Sequence, residues 1–229
     1  MIELKNKELE RYVLFSTNKN TLSLDDLLSI KKVTLDAVTI DNKYDPIYFA
    51  DLEYFRNLES LYIANTKITE EDLKYIYTLP NLKLLSLSNC TINTLDNINY
   101  LKSLEKLYLS NLKYSNIDSI GNIELLKELK ITGTDIISID FIKELKYLTA
   151  LDISYSSISN LDIIKELISL EKLSIRDIQN INIEEILLLP NLKEIYISDD
   201  KVESIKANFL SKGIKVYGSS IIAGDDVDV

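Results

Sequence analysis

The chain has 229 residues, 46% of them hydrophobic and 27% charged, a composition that supports a packed core and excludes disorder over most of its length. Its 26 Lys and Arg against 36 Asp and Glu leave a formal net charge of -10, which repels polyanions and argues against nucleic acids and anionic membranes as partners. With no His and a single Cys, Cys90, the chain cannot build His-based catalytic triads, His-containing zinc sites or an intramolecular disulfide.

Residues 1–29 read as a helical lead-in. Leu9, Tyr12 and Val13 fall at i, i+3 and i+4, and Leu24, Leu27 and Leu28 repeat that spacing after Ser23, a candidate N-cap. Charges are mixed into the first ten residues, so neither a secretory signal nor a membrane helix is expected, and the expected location is cytoplasmic.

From Ile30 onward the chain repeats itself. The segments TLPNLKLLSL and LLPNLKEIYI place Pro80 and Pro190 110 residues apart, five times 22. Aligning on that period reveals an L-x-x-L-x-L comb. Its first column is Ile30, Leu58, Leu82, Leu104, Leu126, Leu148, Leu170 and Leu192. The second is Val33, Leu61, Leu85, Leu107, Leu129, Leu151, Leu173 and Ile195; the third is Leu35, Ile63, Leu87, Leu109, Ile131, Ile153, Ile175 and Ile197. First-column spacings of 28 and 24 settle to 22, giving eight repeats. Five residues past the third column stand Ile40, Ile68, Ile92, Tyr114, Ile136, Ile158, Asn180 and Val202, apolar except for Asn180. Leu95, Ile98 and Leu101, and again Ile139, Ile142 and Leu145, are spaced by three, which predicts a tight helical or 3₁₀ return.

Alternation in each L-x-L sends two side chains to one face of a short strand, and the return lays the next strand alongside. One repeat cannot bury its own leucines; stacked repeats bury a continuous aliphatic column. The ends of such a stack need covering, which assigns residues 1–29 as an N-terminal helical cap and 30–217 as the array with its C-terminal cap. In the latter, SIKANFLSKG reads as a helix stopped by Gly213, with Ile214 and Val216 in a last short strand. Residues 218–229, ending GDDVDV, read as a flexible acidic tail.

The pattern resembles the leucine-rich repeat, in the 22-residue class of the bacterial internalins. The resemblance covers roughly residues 22–217 and implies an α/β solenoid, a right-handed curved array with a concave parallel β-sheet and short helical or 3₁₀ returns on the convex side. The family places an asparagine three residues after the third column to bond backbone along the turn. Here those positions hold Val38, Thr66, Cys90, Leu112, Thr134, Ser156, Ile178 and Asp200. Leu112 and Ile178 cannot make that bond, which predicts irregularity in repeats four and seven.

Phosphate-cradling, metal-binding and nucleophile-elbow motifs are absent from the sequence, so no cofactor, no metal and no catalytic residue is assigned. The acidic pairs Asp25-Asp26, Glu70-Glu71, Glu184-Glu185 and Asp199-Asp200 read as helix-start or loop charges. Cys90 is expected to point inward as an inert thiol.

Function then falls to the strand face, where the non-leucine positions form four solvent-facing columns; Ser174 falls in the second, Ser154 in the third, and Ala37, Asn65, Asn89, Asn111, Gly133, Tyr155, Asp177 and Asp199 make the fourth. Same-column neighbours sit about 4.8 Å apart in a parallel sheet. Lys106 should face Glu128, Lys130 should face Asp152 and Lys172 should face Glu194, with Lys83, Glu105 and Lys127, and Glu171 and Lys193, alternating on the margin. Such exposed pairs contribute about 0 to 1 kcal/mol each and serve solubility. The rings are different, because tyrosine and arginine dominate binding hot spots. The candidate partner-binding residues are Tyr62, Leu84, Tyr108, Lys130, Asp152, Tyr155, Arg176 and Tyr196.

The expected function is a non-enzymatic, monomeric scaffold that binds a protein or peptide on its concave face. The alternatives are a regulator or immunity-type inhibitor occluding a partner enzyme, an exported surface adhesin, and an enzyme using acidic residues.

Overall fold

The computed structural model describes residues 2–38, 46–113, 116–179 and 181–218; Ile40, Tyr114, Asn180 and the tail from Ser219 lie outside the described residues. Helix α1 (Lys7–Thr17) buries Leu9 and Val13 and leaves Tyr12 in solvent. Helix α2 (Leu24–Ser29) begins where Ser23 predicts. The Ser23 hydroxyl accepts from the Asp26 amide while the Asp26 carboxylate accepts from the Ser23 amide, a reciprocal capping box. Six residues make too short a helix to bury two sides, so Leu27 faces the core and Leu24 stays exposed.

The chain divides into two compact units, Met1–Leu126 and Lys127–Val229. In the first, strands β1 (Lys32–Asp36) and β2 (Ser60–Ala64) pair in parallel, with Val33 opposite Leu61 and Leu35 opposite Ile63. The short strand β3 (Lys67–Ile68) and helix α3 (Glu70–Tyr77) lead to β4 (Leu84–Ser88), which pairs with β2. Strand β5 (Thr91–Ile92) lies parallel to β3 in a separate two-stranded ribbon, and β6 (Lys106–Ser110) completes the order β1-β2-β4-β6. The other returns of this unit are 3₁₀ turns at Phe49–Tyr54, Ile98–Tyr100 and Asp118–Asn122. Helix α3 is a full α-helix because Thr69 and Asp72 build a second capping box, with Leu73 and Ile76 inward.

In the second unit the strands are β7 (Glu128–Thr132), β8 (Ala150–Asp152) and β9 (Lys172–Ser174), followed by β10 (Glu194–Tyr196) and β11 (Lys215–Tyr217), parallel and adjacent in that order. Two 3₁₀ turns, Asp140–Glu144 and Asp162–Glu166, and helix α4 (Ile183–Ile186) return the chain between strands. Helix α5 (Asp199–Leu210) precedes β11, burying Ile205 and Phe209. Just past its end Gly213 takes φ 77°, and the Ile214 amide donates to the Phe209 carbonyl, which closes the helix.

Every member of the three comb columns is buried, none more than 7% exposed. The three-spaced return residues Leu95, Ile98, Leu101, Ile139, Ile142 and Leu145 are buried too, as the eclipsed side chains of a 3₁₀ turn require.

Two devices that the comb does not reveal hold successive repeats together. Immediately before the first column, Asn57, Asn81, Ser103, Ser169 and Asn191 donate side-chain hydrogen bonds to carbonyls of the preceding repeat: Leu28, Arg56, Pro80, Lys146 and Ile168, at 2.8 to 3.1 Å. Leu125, which has no donor, and Tyr147 occupy the same column and are exposed. The second device lies after the strand, where Asn65, Asn89, Asn111, Gly133, Tyr155 and Asp177 all take positive φ, between 51° and 62°. These residues are therefore left-handed turn positions, a correction to their assignment as a fourth column of the strand face.

The position next along behaves as a core column. Thr66, Cys90, Leu112, Thr134 and Ile178 are buried. The irregularity expected at Leu112 does not shorten β6, which runs its full five residues, and the Ile178 carbonyl accepts from Lys201 Nζ at 2.7 Å. Repeat four is thus regular, whereas β9, the strand of repeat seven, has only three residues, as do β8, β10 and β11.

Candidate protein-interaction face

On the first unit, alternation along β2, β4 and β6 brings Tyr62, Leu84 and Tyr108 to the open strand face. Ser86 is the register partner of both Tyr62 and Tyr108, so the two rings stand two rungs apart, on the order of 10 Å, with a hydroxyl between them. All three candidates are half-buried. Lys32 Nζ lies 5.1 Å from the Tyr62 ring centroid, a cation–π contact. On the margin Glu59 bridges Lys83 at 2.7 Å and Lys31 at 3.2 Å, and the hydrogen bond from Lys83 leads in holding its carboxyl below the ordinary range. Beyond the strand ends, Asn89 donates to Asn65 Oδ1 at 3.2 Å and Asn65 to Asp36 Oδ1 at 2.8 Å, a side-chain ladder along the left-handed turns.

On the second unit, Lys130 and Asp152 are register partners as the period predicts, and Lys130 Nζ lies 3.8 Å from Glu128. Lys172 meets Glu194 at 3.2 Å and Lys193 meets Glu171 at 2.8 Å, so both expected ladders form here. Burial works against the Glu194 carboxylate, yet the Tyr196 hydroxyl and Lys172 together keep it below its usual range. Tyr196 does not stand free. Its ring stacks on Tyr217 with centroids 4.9 Å apart, Arg176 Cζ lies 5.4 Å from its ring centroid, and its hydroxyl donates to Glu194 Oε2 at 2.9 Å. Burial, then Glu194, raises its hydroxyl pKa to about 12.

The strand face is therefore not uniformly open. Ser154 and Ser174, read from sequence as solvent-facing, are buried at 1% and 8% exposure, with their hydroxyls 2.8 Å apart. Ser154 Oγ also accepts the Arg176 amide at 3.1 Å, and the Ser156 hydroxyl donates to the Ile153 carbonyl. Side-chain hydroxyls thus replace ladder partners just past the ends of β8 and β9. Tyr155 sits within this rearranged stretch at φ 58°, 54% exposed, while Tyr62, Tyr108 and Tyr196 are half-buried.

Sequence reasoning missed Tyr217, the next member of the Tyr196 column one strand on, and it missed the left-handed turns. The turn signal was present: Asn, Asn, Asn, Gly and Asp recurring in one column are the residues that tolerate positive φ.

Each acidic pair weighed as catalytic lies in a first helical turn: Asp25-Asp26 in α2, Glu70-Glu71 in α3, Glu184-Glu185 in α4 and Asp199-Asp200 in α5. There carboxylates favour the positive end of the helix dipole. Cys90 is buried, its sulfur 3.3 Å from the Ser88 carbonyl oxygen, and burial raises its thiol pKa. Among the described residues no group of His, Cys, Asp and Glu could hold a metal ion, and no helix is long and apolar enough to cross a membrane.

No family model and no curated protein sequence matches the chain. Solved structures do. An internalin (InlF) of Listeria monocytogenes superposes with a TM-score of 0.68 at 21% identity, over 83% of this chain and 55% of its own. Internalin C2 of the same organism superposes with a TM-score of 0.66 at 20% identity, over 94% of this chain and 88% of its own. The chain thus spans little more than half the length of the first of these structures.

Proposed function

For a chain with the leucine-rich-repeat fold of the internalins, we propose the role of a non-enzymatic protein-interaction scaffold that binds a protein or peptide on its strand face. The observation that carries this reading is Tyr155, a large ring in solvent on a left-handed backbone that tyrosine adopts only at a cost. Strain of this kind persists where a position is kept for contact rather than for folding. The first unit offers Tyr62, Leu84 and Tyr108 as contacts; the second offers Lys130, Asp152, Tyr155, Arg176 and Tyr196. Arg176 and Tyr196 support the reading because their stacking pre-organises two hot-spot residue types at little entropic cost on binding. The scaffold acts as a monomer in the cytoplasm, which light scattering and cell fractionation test.

Affinity capture from native lysate tests the scaffold itself, comparing wild type with a Tyr62→Ala/Tyr108→Ala variant and, separately, Tyr155→Asn. A stoichiometric partner retained by wild type and weakened by either variant is the expected result. A partner held equally by all three, and cross-linking to Lys143 in the 3₁₀ return, would move the function to the opposite surface.

A further inference from the structure

Six successive repeats place one residue in the left-handed region directly after the strand, and five of the six are Asn, Gly or Asp. Tyr155 is the exception. Its amide keeps the ladder bond of its position, donating to the Arg176 carbonyl at 2.9 Å, as the Asn65 amide does to Ser88 and the Asn89 amide to Ser110. What differs is the side chain and its surroundings. Beside it, Ser154 Oγ accepts the Arg176 amide and the Ser156 hydroxyl donates to the Ile153 carbonyl.

Two carboxylates lie close to this residue, one along the chain and one across the register. Asp152 lies three residues before it, with Oδ1 accepting the Ser154 amide at 3.0 Å. Asp177 occupies the equivalent left-handed position one repeat on, roughly 5 Å away at the backbone, and its amide is taken by Ser198 Oγ at 2.7 Å. Neither carboxylate is ion-paired among the described residues, whereas Glu194 on the face of β10 is paired with Lys172 and Glu128 on the face of β7 with Lys130. An exposed aromatic face beside two uncompensated carboxylates, on a chain of net charge -10, is complementary to a cation that carries a flat or alkyl surface.

Resting on the scaffold reading above, we infer that the Tyr155 corner receives a basic side chain of the partner protein, an arginine or lysine laid over the Tyr155 ring between Asp152 and Asp177. The guanidinium of arginine suits it better, since it stacks on the ring and offers several donors to the carboxylates at once.

The test uses the full chain, labelled with ¹⁵N and titrated with three blocked pentapeptides: Ser-Arg-Ser-Arg-Ser and its Gln and Glu counterparts. The Arg peptide should shift the Tyr155, Ser156 and Asp177 amides saturably, and the Gln and Glu peptides should not. Tyr155→Asn, the residue that three other repeats carry at this turn, and Asp177→Asn should each weaken Arg-peptide binding by about tenfold, the scale of one desolvated cation–π or ion-pair contact, while Tyr155→Phe retains it. Equal binding to wild type and Tyr155→Asn, or Arg-peptide shifts of the same size at Glu70 and Glu71 in α3, would overturn the inference in favour of diffuse attraction to an acidic chain. A captured partner that is lost with Tyr62→Ala/Tyr108→Ala but unaffected by Tyr155→Asn and Asp177→Asn would also overturn it, and would leave the scaffold reading standing.

Discussion

Tyr155 shows how one residue can set fold against function. A left-handed backbone costs an ordinary L-residue about 1 to 2 kcal/mol, and asparagine less because its short amide bonds locally. Tyr155→Asn should therefore raise the unfolding free energy by about 1 kcal/mol in urea denaturation, an unusual sign for a substitution at a repeat protein's turn. An unchanged or lower midpoint would show that the ring contributes packing that its 54% exposure does not suggest.

Asp26 sets a second residue-scale expectation. It is buried at the start of α2, hydrogen-bonded to Ser23 and paired with Lys19, and its carboxyl is held at about 2, with the Lys19 hydrogen bond the leading cause. A depressed folded value means the stabilisation is complete above the unfolded value, near 3.9, and disappears as pH falls through about 2. The stability difference between wild type and Asp26→Asn should be constant from pH 7 to about 5 and shrink progressively to nothing between about pH 5 and 1. A difference that persists undiminished at about pH 1 would assign the effect to the capping geometry instead.

At the scale of the element, the strand separates two populations of side chain. Leu129, at the centre of β7, is wholly buried, whereas Tyr108 on the face of β6 is half-buried. Leu129→Ala should cost about 2 to 5 kcal/mol through the cavity it leaves, and Tyr108→Ala well under half as much. Equal losses in chemical denaturation would mean that the tyrosine face is a second core. The returns follow the same logic with different means. Where Thr69 and Asp72 cap the chain, α3 runs eight residues; where Ile139, Ile142 and Leu145 recur every third position without such a cap, the return is a 3₁₀ turn.

At the scale of the whole molecule, stability in a stack of repeats is a sum over nearest neighbours. In the second unit each strand contacts only the strands beside it in the order, so a defect should spread locally. Leu173→Ala in β9 should speed amide exchange in β8 and β10 more than in β7. Uniform loss of protection across the unit would mean that it unfolds as one cooperative block, with no repeat-level independence.

The period of 22 residues, the three aliphatic columns, the parallel strands and the tight returns were all legible in the order of amino acids. Each depends on a periodic contrast between apolar and polar residues that one repeat states and the next restates, and burial of the comb leaves one register open to it. The N-cap at Ser23 and the stop at Gly213 were legible for the same local reason. The state of the face was decided elsewhere. Ser154 is buried and Ser86 is not, although both are serines on the same side of a strand, because what covers Ser154 is supplied by the neighbouring repeat through Ser174 and Arg176. Tyr196 is shielded by Tyr217 in the next strand, while Tyr155, at a left-handed turn, is 54% exposed. The apolar comb needs only the chain's own alternation to point inward. The exposure of a polar or aromatic face residue depends on which side chain occupies the adjacent rung, and only the stacked structure brings those rungs together.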